Sequence, residues 1–388
     1  MKKILLASIM ISIIFPFQIF AAASKPLQYG AWLPFWKKQA GAEDVAYNLE
    51  KFSQISPFSY EVNANGTLRD SLKINEGFWP TWLSALHDAN VKIIPTVALL
   101  YGNAIQKLLS NKTSRIRHEN IIAALVKKQK FDGIDIDYED KMAKTRPYFS
   151  TFLFGLNMRL HAMKKTLSCT IEGRTPIADQ FAVVPENFSY ANDYAAINKY
   201  CDEVRIMAYD QGNIDLKLDA EKGNGQFYMP VADAEWVEKV IKETVKTISP
   251  KKIMLGVPTY GYMYEVSQNN GVATYKRLRS VTYDQAIALA DSVKAVPVEN
   301  NAGELGFTYA TSTPVSVSKN LTYTMQANLL LNLQAVANPA QQVIRYVTFS
   351  DANGIEDKIK LAKKYNLKGI EFFKMDGEVD PAVWDKLK

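Results

Sequence analysis

Cysteine and histidine are scarce in this chain. Its 388 residues include two cysteines and three histidines, without the clustered spacing of metal ligands. Cys169 and Cys201 could form one disulfide in an exported protein, or could stay buried as free thiols, since each lies near an apolar segment. The histidines lie far apart, and each is predicted to sit on a helix surface: His87, His118 and His161. These residues predict neither a metal site nor a bound cofactor.

The chain also lacks a strong charge. Its formal net charge of +6 falls to +4 when Lys2 and Lys3 are discounted. A residual charge of this size permits contact with an acidic polymer such as a cell wall, but it does not require such contact. No basic cluster with interleaved aromatic residues is present, so we expect no nucleic-acid partner.

The one long apolar run lies at the N-terminus. Lys2 and Lys3 precede the apolar residues 4–20, and small residues follow, which is the pattern of a secretory signal cleaved after Ala23. An uncleaved membrane anchor is the alternative. No later segment is long and apolar enough to cross a bilayer. We therefore predict a signal peptide at 1–23, a secreted or periplasmic location and no membrane contact after cleavage.

From residue 28 onwards, short apolar runs alternate with amphipathic segments. This alternation predicts strands joined by helices, and hence a parallel sheet with covered faces. Eight such strands predict an α/β fold closed into a (β/α)8 TIM barrel. The predicted strands are 29–33, 54–60, 91–99, 131–139, 167–171, 203–208, 253–257 and 367–373. The predicted helices are 78–89, 116–128, 148–163, 190–200, 232–245 and 355–365.

One segment interrupts this alternation between the seventh strand and its helix. It is too long for a loop. It contains a helical pattern at 282–290 and strand patterns at 306–309 and 322–324, so we predict a small α+β insertion. No separate wall-binding module is apparent, and we expect a monomer. The predicted units are the barrel, at 24–263 and 347–388, and the insertion, at 264–346.

The predicted strand 131–139 carries three carboxylates at two-residue spacing. In a strand, successive side chains point to opposite faces, so Asp135, Asp137 and Glu139 share one face. The other face is apolar. Like charges roughly 7 Å apart raise one another's pKa, which gives a structural strand no advantage. A solvated acidic edge strand is the alternative to a functional site.

The spacing Asp132-x-x-Asp135-x-Asp137-x-Glu139 resembles the signature of glycoside hydrolase family 18, the chitinase-like hydrolases. The resemblance implies that Glu139 donates a proton to the glycosidic oxygen while the sugar's own 2-acetamido carbonyl attacks the anomeric carbon. It implies that Asp137 orients the acetamido group and stabilises the oxazolinium, and that Asp135 shares charge or a proton with Asp137. We expect Asp132 to hold its loop structurally.

Two further segments resemble the family. Met207-Ala-Tyr209-Asp210 is similar to an element that lines the acetamido pocket with Met207 and binds the carbonyl oxygen through the Tyr209 hydroxyl. Asp210 would then bind a sugar hydroxyl or a neighbouring strand, and a structural cap is the alternative. Residues 255–261 are similar to the end of the family's seventh strand, where Tyr260 either packs the wall or touches sugar.

The chain also departs from the family pattern. Phe373 stands where the family's eighth strand usually ends in Trp, which implies a smaller platform under the reacting sugar. Residues 96–100 replace a small Ser-x-Gly-Gly element of the third strand, which implies a different subsite shape. Four aromatic residues near predicted strand ends could line a sugar cleft or belong to the core: Trp32, Trp36, Phe58 and Tyr60.

Residues 56–66 resemble the branch of the family that includes bacterial cell-wall and spore-cortex N-acetylglucosaminidases. The resemblance thus implies a retaining glycosidase that cuts β-1,4 linkages of N-acetylglucosamine-containing polymers, either chitin or peptidoglycan. A non-catalytic glycan-binding lectin on the same barrel is one alternative. A barrel acting on glycans without N-acetyl groups is another. It would need a second carboxylate at the mouth, for which Glu172 is the candidate.

Overall fold

The computed structural model describes residues 26–269, 272–312 and 342–387. The predicted signal peptide and the predicted strand at 322–324 lie outside these residues. The strands are β1 Gln28–Pro34, β2 Gln54–Val62, β3 Leu68–Asp70, β4 Lys92–Ile93, β5 Thr96–Leu99, β6 Gly133–Tyr138, β7 Thr166–Glu172, β8 Glu203–Met207, β9 Ile253–Pro258, β10 Tyr260–Asn269, β11 Val272–Thr282, β12 Val298–Glu299, β13 Leu305–Ser312, β14 Gln342–Phe349 and β15 Gly369–Phe373.

The helices surround the sheet formed by these strands. They are α1 Lys38–Tyr47, α2 Trp79–Asp88, α3 Gly102–Ser110, α4 Lys112–Gln129, α5 Arg146–His161, α6 Ile177–Gln180, α7 Tyr194–Tyr200, α8 Leu216–Lys222, α9 Ala234–Val245, α10 Tyr283–Ser292, α11 Ala352–Lys364 and α12 Val383–Lys386. None of the helices in the described ranges is long and apolar enough to cross a membrane.

The predicted barrel is confirmed. Eight parallel strands follow one another in the order β1-β15-β9-β8-β7-β6-β5-β2, and the pairing of β1 with β2 closes the ring. Each predicted strand overlaps a strand of the barrel. The third is divided into β4 and β5, with Pro95 between them, a residue that has no N–H to donate to a ladder. Parallel closure brings the C-terminal ends of all eight strands to one mouth.

Three predicted helix starts differ by three or four residues from the observed ones because side chains cap the helices elsewhere. The Asp351 side chain accepts from the Gly354 N–H, so α11 begins at Ala352 instead of 355. The Asn111 side chain accepts from the Ser114 N–H, so α4 begins at residue 112 instead of 116. The Asp193 side chain accepts from two N–H groups, so α7 begins at Tyr194 instead of 190. Five of the described helices were not predicted: α1, α3, α6, α8 and α12.

The inserted segment forms a second sheet. Its strands run in the order β11-β10-β14-β13-β12, all antiparallel, with α10 packed on one face. The predicted helix at 282–290 overlaps α10, and the strand at 306–309 lies within β13. β10 begins at Tyr260, directly after barrel strand β9, so this sheet is attached to the mouth of the barrel.

The lower interior of the barrel is charged. Arg205 on β8 is fully buried, and its guanidinium lies 3.0 Å from Glu203, 3.4 Å from Glu371 and 3.6 Å from Asp135. The Gln54 amide donates to Glu203 at 2.7 Å and to Glu371 at 3.0 Å. Burial raises the pKa of Glu371 to about 7, and Arg205 opposes that rise. Arg205 is therefore shared by three buried carboxylates, of which Glu203 has a second cation partner in Lys368 at 2.6 Å.

The two cysteines form a disulfide. Cys169 on β7 is bonded to Cys201, which lies just before β8. Of the two alternatives left open by the sequence, the bonded one is the one observed.

His118 corrects the prediction that all three histidines lie on helix surfaces. It is fully buried in α4. One ring nitrogen contacts the Gly66 carbonyl at 2.7 Å, and the other contacts the Tyr138 hydroxyl. The neutral ring can donate to the carbonyl and accept from the hydroxyl. Burial lowers the pKa of His118 from 6.5 to about 4. The neutral ring of His118 thus connects the turn after β2 to β6, and its burial opposes protonation.

This tie predicts a pH-dependent stability. The unfolded chain binds a proton at His118 below pH 6.5, whereas the folded chain resists until about pH 4. The free energy of unfolding should therefore fall by about 3 kcal/mol as the pH drops through this window. Urea unfolding of the parent and of His118→Gln at pH 7 and pH 4 measures the difference. The variant should lose less stability on acidification, and equal losses in both proteins would contradict the assignment.

Candidate active site

The three carboxylates of the acidic strand share one face, as predicted. Asp135 and Asp137 on β6 point into the barrel and are buried, and Glu139 follows the strand at its mouth and is partly exposed. Ile134, Ile136 and Tyr138 point the other way and are fully buried among the helices. The strand is central in the barrel, so the solvated edge strand is excluded.

Asp135 is held by donors from two neighbouring strands. It accepts hydrogen bonds from Thr96 at 3.0 Å, from Ser168 at 2.7 Å and from Thr170 at 2.9 Å, and the Arg205 guanidinium lies 3.6 Å away. A carboxylate surrounded by hydroxyl donors and a cation is compensated for its burial. The Asp135 side chain is therefore held in one position below the mouth of the barrel.

Asp137 is in a different environment. Burial, and after it the charges of Glu139 and Asp135, raise the pKa of Asp137 well above its ordinary value. Its Oδ1 is buried without a hydrogen-bond partner among the described residues. The raised pKa favours the neutral carboxylic acid, which can donate a hydrogen bond to a group in the cleft.

Glu139 lines the same cleft. Burial raises the pKa of Glu139, the charges of Glu172 and Asp210 raise it further, and Lys141 opposes them. Within the described residues Glu139 makes no ion pair with a lysine or arginine at 4.0 Å or less. A carboxyl group with a raised pKa that faces a cavity is suited to general acid catalysis near neutral pH.

The end of β8 contributes the second group of predicted residues. Tyr209 and Asp210 both line the cleft, as does Met207. The Tyr209 ring stacks on Phe373, with centroids 5.1 Å apart and planes at 10°. Phe373 also lines the cleft, beside Tyr209.

Tyr260 does not line the cleft, so of its two alternatives, packing in the wall and contact with sugar, packing is the one observed. It is buried behind Phe373 in an edge-to-face contact with centroids 5.9 Å apart. Its hydroxyl donates to Asp210 Oδ1 at 2.6 Å, and the Tyr262 hydroxyl donates to the same oxygen at 2.7 Å. The two tyrosines hold Asp210 in place.

Tyr60 is likewise not in the cleft, and the reason is a bulge. The pairing of β2 with β5 shifts register between Phe58 and Tyr60. A bulge turns the side chains that directly follow it to the opposite face. Tyr60 therefore packs outward against Phe131, with ring centroids 6.3 Å apart, whereas Glu61 points into the cleft. Strict alternation from Phe58 predicts the reverse.

The cleft has a volume of about 340 Å3, within the range of about 300–1,000 Å3 typical of ligand sites. Trp36 and Tyr101 stand at its rim, 50% and 73% exposed. The predicted residues that line it are Trp32, Trp36, Phe58, Asp137, Glu139, Met207, Tyr209, Asp210 and Phe373. Ala98, Leu99 and Leu100 also line it and lie within 96–100, the segment expected to shape a subsite, whereas Phe35, Glu61, Val62 and Tyr101 were not predicted. Their position at the ends of the first three strands was the available signal.

Two other motif residues lie outside the cleft. Asp132, at the amino end of β6, accepts the Ile93 N–H at 2.9 Å and so holds its loop. Glu172, the last residue of β7, does not line the cleft, and it lies 3.5 Å from Lys141. Among the residues that the structure describes, no group of three His, Cys, Asp or Glu side chains could hold a metal ion.

Known proteins match most of this chain in sequence and in fold. The family model for glycosyl hydrolases family 18 matches residues 83–378. The uncharacterized glycosylase YvbX of Bacillus subtilis is 24% identical over 288 residues, covering 74% of this chain and 69% of its own. The cortical fragment-lytic enzyme of Bacillus subtilis is 24% identical over 352 residues, covering 89% of this chain and 69% of its own.

Solved structures agree with the barrel. The spore cortex-lytic enzyme SleL of Bacillus cereus superposes with a TM-score of 0.69 at 20% identity, covering 94% of this chain and 74% of its own. A chitinase from Chromobacterium violaceum superposes with a TM-score of 0.67 at 18% identity, covering 93% of this chain and 98% of its own. At these identities the likeness establishes the fold.

Proposed function

Since the chain belongs to glycoside hydrolase family 18, we propose that it is a retaining glycosidase that cuts β-1,4 linkages of N-acetylglucosamine-containing polymers by substrate-assisted catalysis. The observation that carries this proposal is the Glu139 carboxyl. It faces a cleft of ligand size, its pKa is raised, and it has no cation partner within 4.0 Å among the described residues.

In the proposed mechanism, Glu139 protonates the glycosidic oxygen as the bond to the anomeric carbon breaks. The carbonyl oxygen of the 2-acetamido group attacks that carbon from the opposite face and forms a cyclic oxazolinium. Water then opens the ring with retained configuration, and Glu139 accepts the proton from that water. No second catalytic carboxylate is needed, because the nucleophile belongs to the substrate.

The remaining cleft residues serve the acetamido group. Asp137, whose neutral form is favoured by its environment, hydrogen-bonds the acetamido group in the ground state. As the positive intermediate forms, Asp137 passes its proton to Asp135, and its carboxylate compensates the charge; the proton returns when water opens the ring. The Tyr209 hydroxyl, whose pKa is raised by burial and by Asp137, stays protonated and donates to the attacking carbonyl oxygen. The stacked rings of Tyr209 and Phe373 form an apolar floor under the sugar.

We place peptidoglycan fragments ahead of chitin as the substrate. Two of the similar proteins carry the descriptions cortical fragment-lytic enzyme and spore cortex-lytic enzyme. We further propose that residues 1–23 are a cleaved signal, that the chain acts outside the cytoplasm as a monomer, and that 264–346 is an insertion domain in the barrel. Secretion suits both polymers, since each lies outside the membrane.

Side-by-side digestion of chito-oligosaccharides and purified peptidoglycan, with products identified by mass, tests the substrate. We expect fragments that end in reducing N-acetylglucosamine, released faster from peptidoglycan. Faster release from chitin would reverse the order of substrates. If the protein binds both polymers but cleaves neither, it is a glycan-binding lectin and the proposed activity is contradicted.

A further inference from the structure

A buried lysine lies beside the proposed acid, and the mechanism above does not use it. The Lys141 side chain is 1% exposed. Its ammonium contacts the Tyr138 carbonyl and lies 5.0 Å from the centre of the Phe149 ring. A cation so close in the chain to Glu139 favours the ionised form of that carboxyl, which cannot donate a proton.

Glu172 supplies the lysine with a different partner. Its Oε1 lies 3.5 Å from the Lys141 ammonium. In the register of β6 with β7, Asp137 is opposite Thr170, so the continuation of both strands brings Glu139 level with Glu172. Glu172 therefore lies beside Glu139 and pairs with Lys141, the cation that would favour the ionised form of Glu139.

The position of Glu172 is fixed by the loop that precedes α7. Its Oε2 accepts a hydrogen bond from the Asn192 amide, and its backbone carbonyl accepts one from the Tyr194 hydroxyl at 3.2 Å. A carboxylate held in this way is preorganised to bind the ammonium without losing further freedom. It also stays outside the cleft lining, which separates it from the sugar.

We propose that Glu172 is a positioning residue for the general acid: it engages the Lys141 ammonium, so that Lys141 does not pair with Glu139 and Glu139 retains its proton. This inference rests on the proposed function, in which Glu139 must be protonated to act. It assigns Glu172 a different task from the second catalytic carboxylate of a conventional retaining glycosidase.

The charges that face Glu139 agree in sign with this task. Glu172 on β7 and Asp210 after β8 are acidic, Lys141 is the cation, and the neighbouring Asp137 has a raised pKa that favours its neutral form. Burial and the charges of Glu172 and Asp210 raise the pKa of Glu139, while Lys141 lowers it. Loss of Glu172 therefore acts twice, because it removes one acidic charge and frees the ammonium.

The pH profile of kcat/KM on a chito-oligosaccharide tests the proposal, since its alkaline limb reports deprotonation of the acid in the free enzyme. In Glu172→Gln the midpoint of that limb should move to a pH lower by about one unit. Well above the midpoint kcat/KM should then be about tenfold lower than in the parent, whereas the plateau at acidic pH should be unchanged. Lys141→Met should move the limb up, and the double variant should return it towards the parent. Glu186→Gln, an equal charge change on an exposed loop residue, is the matched control and should not move it.

Other outcomes overturn the proposal. An unchanged limb in Glu172→Gln would show that Glu172 does not protect the acid. An equal loss at every pH, rescued by azide, would make Glu172 a catalytic carboxylate. Should Glu172→Gln fail to fold, Lys141→Met still decides, since a limb that stays in place contradicts the proposal. Failure of the proposed function is distinct, because it appears as parental turnover in Glu139→Gln.

Discussion

Replacing Glu139 with Gln should abolish turnover while leaving glycan binding intact. The amide preserves the shape of the side chain but cannot donate a proton to the leaving oxygen. General acid catalysis contributes about 10²–10⁴-fold, so kcat should fall by that factor while KM changes little. Kinetics on a chito-oligosaccharide, with calorimetric titration of the same ligand, measure both quantities.

The matched control for this variant lies in the same motif. Asp132→Asn makes the same chemical change at the opposite end of β6, where the side chain holds the Ile93 N–H and does not reach the cleft. It should keep the parental kcat. Parental turnover in Glu139→Gln would contradict the assignment of the acid, and loss of binding together with turnover would point to misfolding.

Replacing Arg205 with Met should strongly destabilise the barrel. The substitution keeps much of the side-chain volume but leaves Glu203, Glu371 and Asp135 buried without their shared cation. Breaking a buried ion pair by removing one partner costs about 3–5 kcal/mol. Denaturant unfolding at pH 7 measures the difference in the free energy of unfolding.

Lys364→Met provides the comparison on the surface. Lys364 pairs with Glu238 at 2.7 Å, but its side chain is 62% exposed. Such pairs contribute about 0–1 kcal/mol, so the loss should be much smaller than for Arg205→Met. Equal losses in the two variants would show that the buried network does not stabilise the fold in the way described.

The facing of the side chains on β6 was predictable because apolar and acidic residues alternate along the strand. Ile134 and Ile136 need an apolar layer, which forces Asp135 and Asp137 into the barrel. The covering helices and the parallel order follow from the same alternation along the chain. Both the strand and the face that carries its carboxylates were therefore predictable at β6, where the local pattern agrees with the overall fold.

The residues that prediction misplaced depend on contacts distant in sequence. A register shift in β2 moves Tyr60 out and Glu61 in, and only the pairing with β5 reveals it. His118 sits in a polar stretch of α4, yet it is buried because Gly66 and Tyr138 supply its hydrogen bonds. Tyr260 follows β9 as expected, but Phe373 covers it.

The sugar's acetamido group is the centre of the account, so its removal is the most direct test. The measurement compares the initial rates of cleavage of two oligosaccharides. One is a chito-oligosaccharide, and the other is the same compound without the N-acetyl group on the sugar whose anomeric carbon is in the cleaved bond. We predict rapid cleavage of the first, with the β-anomer as the initial product, and no detectable cleavage of the second. Comparable rates on both would mean that the protein supplies the nucleophile, and would contradict the mechanism.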